Sequence, residues 1–473
     1  MQTNTISLFR VINKALMVAI AITITGASTV THARYRWFLL REEQREQQKK
    51  PPVLLAAFHV PQGHNVSFLK EYCDPRNTLV FRSHDSQQAY SNYCSYVQDQ
   101  SNAIAQPEPY IPFAFTIRVL LDEQPLDNKC WFLKTDGQFV RFIPNDGTYT
   151  LDMQEIAIRL APEGLYLNGQ LVGPLLIMRA TKGYTHFDGH EYPGVFVIVQ
   201  KNERAYLINQ LDIEDYLYCV LRWESWPGWP LEVNKAFAIA CRSYVIAKAA
   251  QAMQRNRLYH IKRSNLHQTY NGMHQYDVLR QAIQETQGLI LTYNKKPIEA
   301  MFDCCCGGVI PAKMDGVNFK HAPYLARTTE CTFCKPCKIY RWKITLEVRE
   351  LQKLLADGGY HLHDIREIKV LKTDRAGIVQ QVMVRDKRHR YTITGKKFYS
   401  LLSSIKSFAY TIEKKGNTIT FLGKGYGHHL GICQWGARNM LNAGWSHRKI
   451  LAFYYPQTTI MELKTAVKNN AKL

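Results

Sequence analysis

Two periodicities succeed each other along this chain. From Phe113 onward short apolar blocks carry the two-residue period of strands. Phe115 to Leu121 is one such block, a turn follows at Asn145-Asp146-Gly147, and Val195 to Val199 pairs across Lys201-Asn202 with Ala205 to Ile208. The period then lengthens: Val233, Phe237, Ala240, Tyr244 and Ala247 recur at three- and four-residue spacing and predict a helix. Pro230 sits where a first turn tolerates proline, and Glu232 stands where a carboxylate suits the helix dipole. A helix from Tyr276 to Thr286, a strand pair around Leu289 to Tyr293 and Ile298 to Phe302, and a strand-then-helix passage from Trp342 to Leu355 come next. Ile368 to Leu371 with Val379 to Val384 reads as a hairpin across Asp374 to Gly377. Ala437 to Asn442 is a helix closed by Gly444, and Ser446 caps a last helix leading into Tyr454-Tyr455-Pro456. The pattern predicts an α+β fold, a β-rich module followed by mixed α/β modules.

The first hundred residues read differently. Arg10 and Lys14, the apolar run Ala15 to Ile24, and Thr31-His32-Ala33 before Arg34 have the three parts of an export signal. An uncleaved anchor is the other reading, since Ala15 to Ala33 is nearly long enough to span a bilayer. Residues 1–33 are therefore a signal peptide or anchor, and both readings put the rest in the periplasm or cell envelope. Residues 34–110 form a linker and an N-terminal region without motifs: Arg41 to Lys50 runs as a charged spacer into Pro51-Pro52, and Gln106 to Pro109 is a second linker. Cys73 and Cys94 within it are a candidate disulfide.

Charge narrows the partners. Sixty Lys+Arg against 39 Asp+Glu give a formal +21, which implies an anionic partner. No zinc-finger, P-loop or recognition-helix signature accompanies the basic residues, so nucleic acid is not the expected one.

Three stretches carry candidate chemistry. In Trp223 to Pro230, read as a rigid loop, Glu224 stands among Trp223, Trp226 and Trp229. It is either a helix cap or solvated loop acid, or a general acid whose pKa the indoles raise by excluding water. Cysteines gather at Cys304-Cys305-Cys306 and at Cys331, Cys334 and Cys337, where disulfides and a structural zinc are both open. Gly423 to Ala437 is glycine-rich, as a groove-lining loop requires, and its lysine is not in the P-loop position.

The order Tyr216-Leu217, Val220-Leu221, Glu224, Trp229-Pro230, Glu232, Lys235-Ala236, Ala238, Ala240, Arg242, Tyr244 resembles the signature of the SpoIID/LytB family, whose members act on or around bacterial peptidoglycan. His267-Gln268-Thr269-Tyr270-Asn271-Gly272 and Gly423 to Ala437 are similar to two further family blocks. This chain has Ser225-Trp226-Pro227 for the usual Met-Pro, His429 for a glycine, Cys433 for a serine and thiols for a hydroxyl before Gly307-Gly308. The resemblance covers residues 111–460, leaves 461–473 as a tail, and implies modules arranged around a central groove. It implies Glu224 as the catalytic residue of a lytic transglycosylase, with Trp229, Arg242, Gln268, Tyr270, His428 and Gln434 binding substrate. Some relatives hold a metal near the second block, where His260 and His267 are the only such ligands here and read as groove or surface histidines. No cofactor is required by this chemistry. The implied partners are peptide-free glycan strands and, for a LytB-type member, a cell-wall amidase. One well-placed acid suffices for the activity the resemblance implies, because the muramic C6 hydroxyl can act as nucleophile, giving 1,6-anhydromuramic ends.

Overall fold

The computed structural model describes residues 115–143, 147–264 and 267–470. The export segment, the spacer, both linkers and the Cys73–Cys94 pair lie outside these. No helix among the described residues is long and apolar enough to cross a membrane. The fold is α+β, and contacts divide the chain into two compact units. Among the described residues, one takes 115–301 with Gly444–Ala452 and 457–470; the other takes Phe302–Ala443 and Phe453–Pro456.

Two sheets open the first unit. In one, seven strands run in the order Ile261–Lys262, Thr116–Pro125, Arg204–Asp212, Val195–Lys201, Leu175–Ala180, Phe139–Ile143, Gly147–Leu151. The predicted pairing of Val195–Lys201 with Arg204–Asp212 is present, closed by Asn202 and Glu203 at φ 49° and 60°, a turn whose twist matches the strands. A six-stranded sheet holds Cys130–Thr135, whose Trp131, Leu133 and Thr135 point inward in strict alternation.

The strand Arg204–Asp212 runs directly into helix α1, Ile213–Glu224. Asp212 Oδ1 accepts the Glu214 N–H at 2.8 Å and caps it, and Ile213, Tyr216, Leu217, Val220 and Leu221 bury one face. Trp223 and Glu224 are therefore the last helical residues, and the loop is Ser225–Pro230. The predicted loop began two residues early because α1 has the same apolar period as its neighbour. Helix α2, Leu231–Gln254, starts after Pro230 and buries every predicted core position. Helix α3 is Asp277–Glu285, and Leu289–Tyr293 lies between Lys296–Pro297 and Thr459–Glu462.

Burial pushes the Asp212 carboxyl up from the usual 3.8 to about 6, against the hydrogen bond from Glu214 N–H. The folded chain thus binds this proton more tightly than the unfolded chain, so the stability it supplies is full below 3.8 and is lost as pH rises toward 6. Asn keeps the cap without the charge. Asp212→Asn is expected to stabilise the protein by on the order of 1–2 kcal/mol above neutrality and by little at acid pH, read by urea melts at both.

The second unit is built from short sheets. Phe302–Asp303 pairs in parallel with Ile432–Cys433; Arg341–Glu347 and Ala409–Lys415 flank Thr418–Lys424; Glu367–Thr373 and Arg390–Thr394 flank Val379–Arg385. Phe302 thus pairs away from the expected Leu289 hairpin, which keeps only Lys296–Pro297. Helices α4 (Val348–Asp357), α5 (Gly395–Leu401) and α6 (Gln434–Asn442) complete it. Two glycine loops meet here: a Cβ on Gly307 would lie 2.5 Å from Gly425 N, and one on Gly425 2.7 Å from Cys305 O. Helices α7 (His447–Tyr454) and α8 (Leu463–Asn470) follow, so the expected tail is partly helical.

Candidate functional site

Glu224 occupies the C-terminal end of α1 and is 9% exposed. Ser225 N–H donates to Leu221 O at 2.8 Å, its Oγ meets Asn234 Oδ1 at 2.5 Å, and Asn234 Nδ2 donates to Trp229 O at 3.0 Å. These bonds tie the Ser225–Pro230 loop to the first turn of α2. Thr269 N–H donates to Glu224 Oε1 at 2.6 Å. A backbone N–H only donates, so Oε1 is an acceptor here.

The neighbours of Thr269 explain its position. Gln268 Oε1 accepts from Tyr216 Oη at 2.9 Å, and Tyr270 is stacked between Tyr192 and Tyr216 with centroids 5.3 and 5.5 Å away. Tyr270 Oη also reaches Asn209 Oδ1 on the seven-stranded sheet. Both residues, expected to bind substrate, are buried and hold the segment whose N–H holds Glu224. Arg242, also expected to bind substrate, is enclosed too. It is fully buried, with Nε and Nη2 on the two Glu214 oxygens at 3.0 and 2.6 Å and Nη1 on Leu289 O at 3.0 Å. An arginine in a helix buried on all sides had to find its carboxylate inside.

The indoles are also differently disposed. Trp223 and Trp226 are 41% and 59% exposed and Trp229 is half-buried, so two of the three rings expected to shield Glu224 face solvent. Beside them stands a group absent from the sequence reading. The Arg222 guanidinium lies 5.3 Å from the Trp223 ring and 4.9 Å from that of Tyr276, which is itself exposed, and Arg280 lies 5.3 Å from Tyr218. Tyr276 comes from the start of α3, far along the chain, and only folding joins it to α1.

The other acid near the signature is engaged elsewhere. Desolvation opposes it, but hydrogen bonds from Lys235 and His447 bring Glu232 down to about 2. His260 and His267 are buried rather than groove or surface residues. His260 Nε2 meets Arg118 Nε and Nη2 at 3.0 and 2.9 Å; burial first and then this cation hold the imidazole neutral.

His428 and Gln434 belong to the second unit. His428 is buried and its Nδ1 accepts Leu430 N–H at 3.0 Å; Gln434 opens α6. His429 adopts φ 67°, the conformation the substituted glycine would favour, and its Nδ1 lies 2.9 Å from Cys306 O. Cys433 caps α6 as a serine would, accepting Gly436 N–H at 3.3 Å. Cys306, Cys331, Cys334 and Cys433 are buried together with their sulfurs all within 4.8 Å of one another. Cys304, Cys305 and Cys337, which the sequence grouped with them, are outside this set.

Residues 201–293 match the SpoIID family, described as Stage II sporulation protein, and residues 325–431 match a domain of unknown function, DUF8618. An uncharacterized protein of Brachyspira hyodysenteriae is 28% identical over 340 residues, 71% of this chain and 87% of that protein. The amidase enhancer of Bacillus subtilis is 24% identical over 67% of this chain, which spans 50% of that protein's length. The stage II sporulation protein D of the same organism is 24% identical over 54% of this chain and 76% of its own. Glu224, the loop after it and α2 all lie inside the span that matches the SpoIID family, and these likenesses together support a SpoIID/LytB assignment.

Proposed function

We propose that this protein acts on bacterial peptidoglycan as a lytic transglycosylase on peptide-free glycan strands, with Glu224 as general acid and then base. The observation that carries the reading is a single enclosed carboxyl, one oxygen fixed by Thr269 N–H, beside a solvent-facing group of aromatic and cationic side chains. Indole and phenol faces stack on the apolar faces of sugars, and Arg222 supplies a cation for the lactyl carboxylate exposed when a stem peptide is removed.

The chemistry follows from the carboxyl count. Glycosidases with two carboxyl groups use one to protonate the leaving oxygen and the other to attack or to activate water. Glu232, ionised and bound by Lys235 and His447, is unsuited to that second role. Glu224 therefore gives its proton to the glycosidic oxygen as the bond to the muramic anomeric carbon breaks. The C6 hydroxyl of the same sugar closes on that carbon and returns its proton to the carboxylate. No water is consumed, and the product carries a 1,6-anhydro ring. Action on the wall places the protein in the envelope, in keeping with the export-type N-terminus.

A second reading has an observation of its own: one relative is named an amidase enhancer. A LytB-type protein would bind glycan and raise the activity of an N-acetylmuramoyl-L-alanine amidase without cutting strands itself. Incubation of the purified chain with peptide-free glycan, followed by mass analysis, decides. Anhydro ends, lighter by one water than reducing ends, are expected; intact strands together with stimulation of an added amidase would favour the second reading.

Binding gives a separate check. Arg222→Ala is expected to weaken glycan binding about tenfold and to flatten its salt dependence, with Tm within about 2 °C of the parent, measured by sedimentation with stripped sacculi. Undiminished binding would remove Arg222 from the substrate platform.

A further inference from the structure

We infer that Cys306, Cys331, Cys334 and Cys433 form a closed structural site for one zinc ion. Their four sulfurs come from three segments of the second unit: the loop after Phe302–Asp303, the Cys331-Thr332-Phe333-Cys334 turn, and the strand-to-helix junction at Ile432–Gln434. All four side chains are buried, and no cysteine among the described residues is in a disulfide.

Distances select the kind of guest. Four sulfurs about 2.3 Å from one tetrahedral ion stand about 3.8 Å apart. Here Cys306 and Cys334 sulfurs are 3.7 Å apart and every pair is within 4.8 Å. That spacing suits a single ion and is too tight for a multi-iron cluster between the thiolates. A tetrahedral set of four sulfurs selects zinc among the divalent ions, and a full complement of protein ligands leaves no open position, so the ion supports structure rather than reaction.

The surroundings suit thiolates. Cys433 Sγ accepts two backbone N–H groups, from Cys306 and Gly436, each at 3.3 Å, and Tyr454 Oη lies 3.1 Å from Cys331 Sγ. A Cβ on Gly436 would lie 2.7 Å from Cys331 Sγ and 2.1 Å from Tyr454 Oη, so this position is cleared for the sulfurs. The Arg327 guanidinium, buried, lies 5.6 Å from the Tyr454 ring and donates to Val309 O at 2.6 Å. It offsets part of the double negative charge of a zinc bound by four thiolates. The site thereby fastens the glycine-rich block, with His428 and Gln434, to two loops, one of which also pairs with it through Cys305 and Tyr426.

The test is metal content. The full chain, purified without chelators from zinc-supplemented culture, is expected to carry about one zinc by mass spectrometry of the elements. Cys306→Ser and Cys331→Ser should each lower zinc retention at least ~10-fold after dialysis against a mild chelator, while Cys130→Ser, Cys305→Ser and Cys337→Ser leave it unchanged. Should a ligand variant fail to fold, the unaltered chain reloaded with cobalt decides: intense ligand-field and sulfur-to-cobalt bands support a four-thiolate tetrahedron, and a weak six-coordinate spectrum overturns it. A metal-free chain, a mapped disulfide among the four cysteines, or iron in place of zinc would each overturn the assignment.

Discussion

Glu224→Gln is expected to abolish strand cutting, with a fall of at least about a thousandfold in the rate of anhydro-end formation. The cycle needs one proton to leave the carboxyl for the glycosidic oxygen and another to arrive from the C6 hydroxyl, and an amide can do neither. The fold should not suffer. Gln keeps an acceptor oxygen for Thr269 N–H at Oε1, so the substitution is expected to cost less than about 1 kcal/mol and to leave glycan binding intact. Circular dichroism melts and sacculus binding measured beside product analysis separate loss of chemistry from loss of structure. A Gln variant that cuts at the parent rate, or parent products that all end in reducing sugars, would sink the mechanism. An intact amidase-enhancing activity in a variant that never cut would instead leave the LytB-type reading standing.

The parts of the fold that were legible in the sequence are those fixed by local period. The core face of α2, the pairing of Val195–Lys201 with Arg204–Asp212, and the helices at 277–285 and 434–442 follow from spacing and turn residues within a few positions. The site was legible only where one residue announced itself. Glu224 stands out among tryptophans, but what holds it is an N–H 45 residues away, and no periodicity carries that. The same applies to the thiols. Cys331 and Cys334 have a recognisable spacing, whereas Cys306 and Cys433 are 127 residues apart and meet because Phe302–Asp303 pairs in parallel with Ile432–Cys433. Gln268, Tyr270 and Arg242 share a feature that spacing does not carry: each is buried and bonded to the frame of the site. A polar residue inside a family motif can hold the site's frame as well as touch its ligand, and only the fold shows which bonds it makes.

Arg242 is where that difference has the largest consequence for stability. Its guanidinium makes two parallel bonds to Glu214 and one to Leu289 O, and Glu214 Oε1 also accepts Gly288 N–H at 3.0 Å. One buried ion pair thus joins α1, α2 and the start of Leu289–Tyr293. Removing one partner leaves the other's charge without compensation, which typically costs about 3–5 kcal/mol, whereas removing both costs far less because no charge is left behind. Arg242→Met is therefore expected to destabilise the protein by about 3 kcal/mol or more, and Arg242→Met combined with Glu214→Gln to recover a substantial part of that loss. Folded Arg242→Met protein, assayed at low temperature, should cut glycan with the parent KM, since the side chain has no exposed atom to offer a substrate. Chemical denaturation of the three variants reads the first expectation and initial rates read the second. A raised KM at unchanged stability would restore Arg242 to the substrate site and overturn its role as a brace.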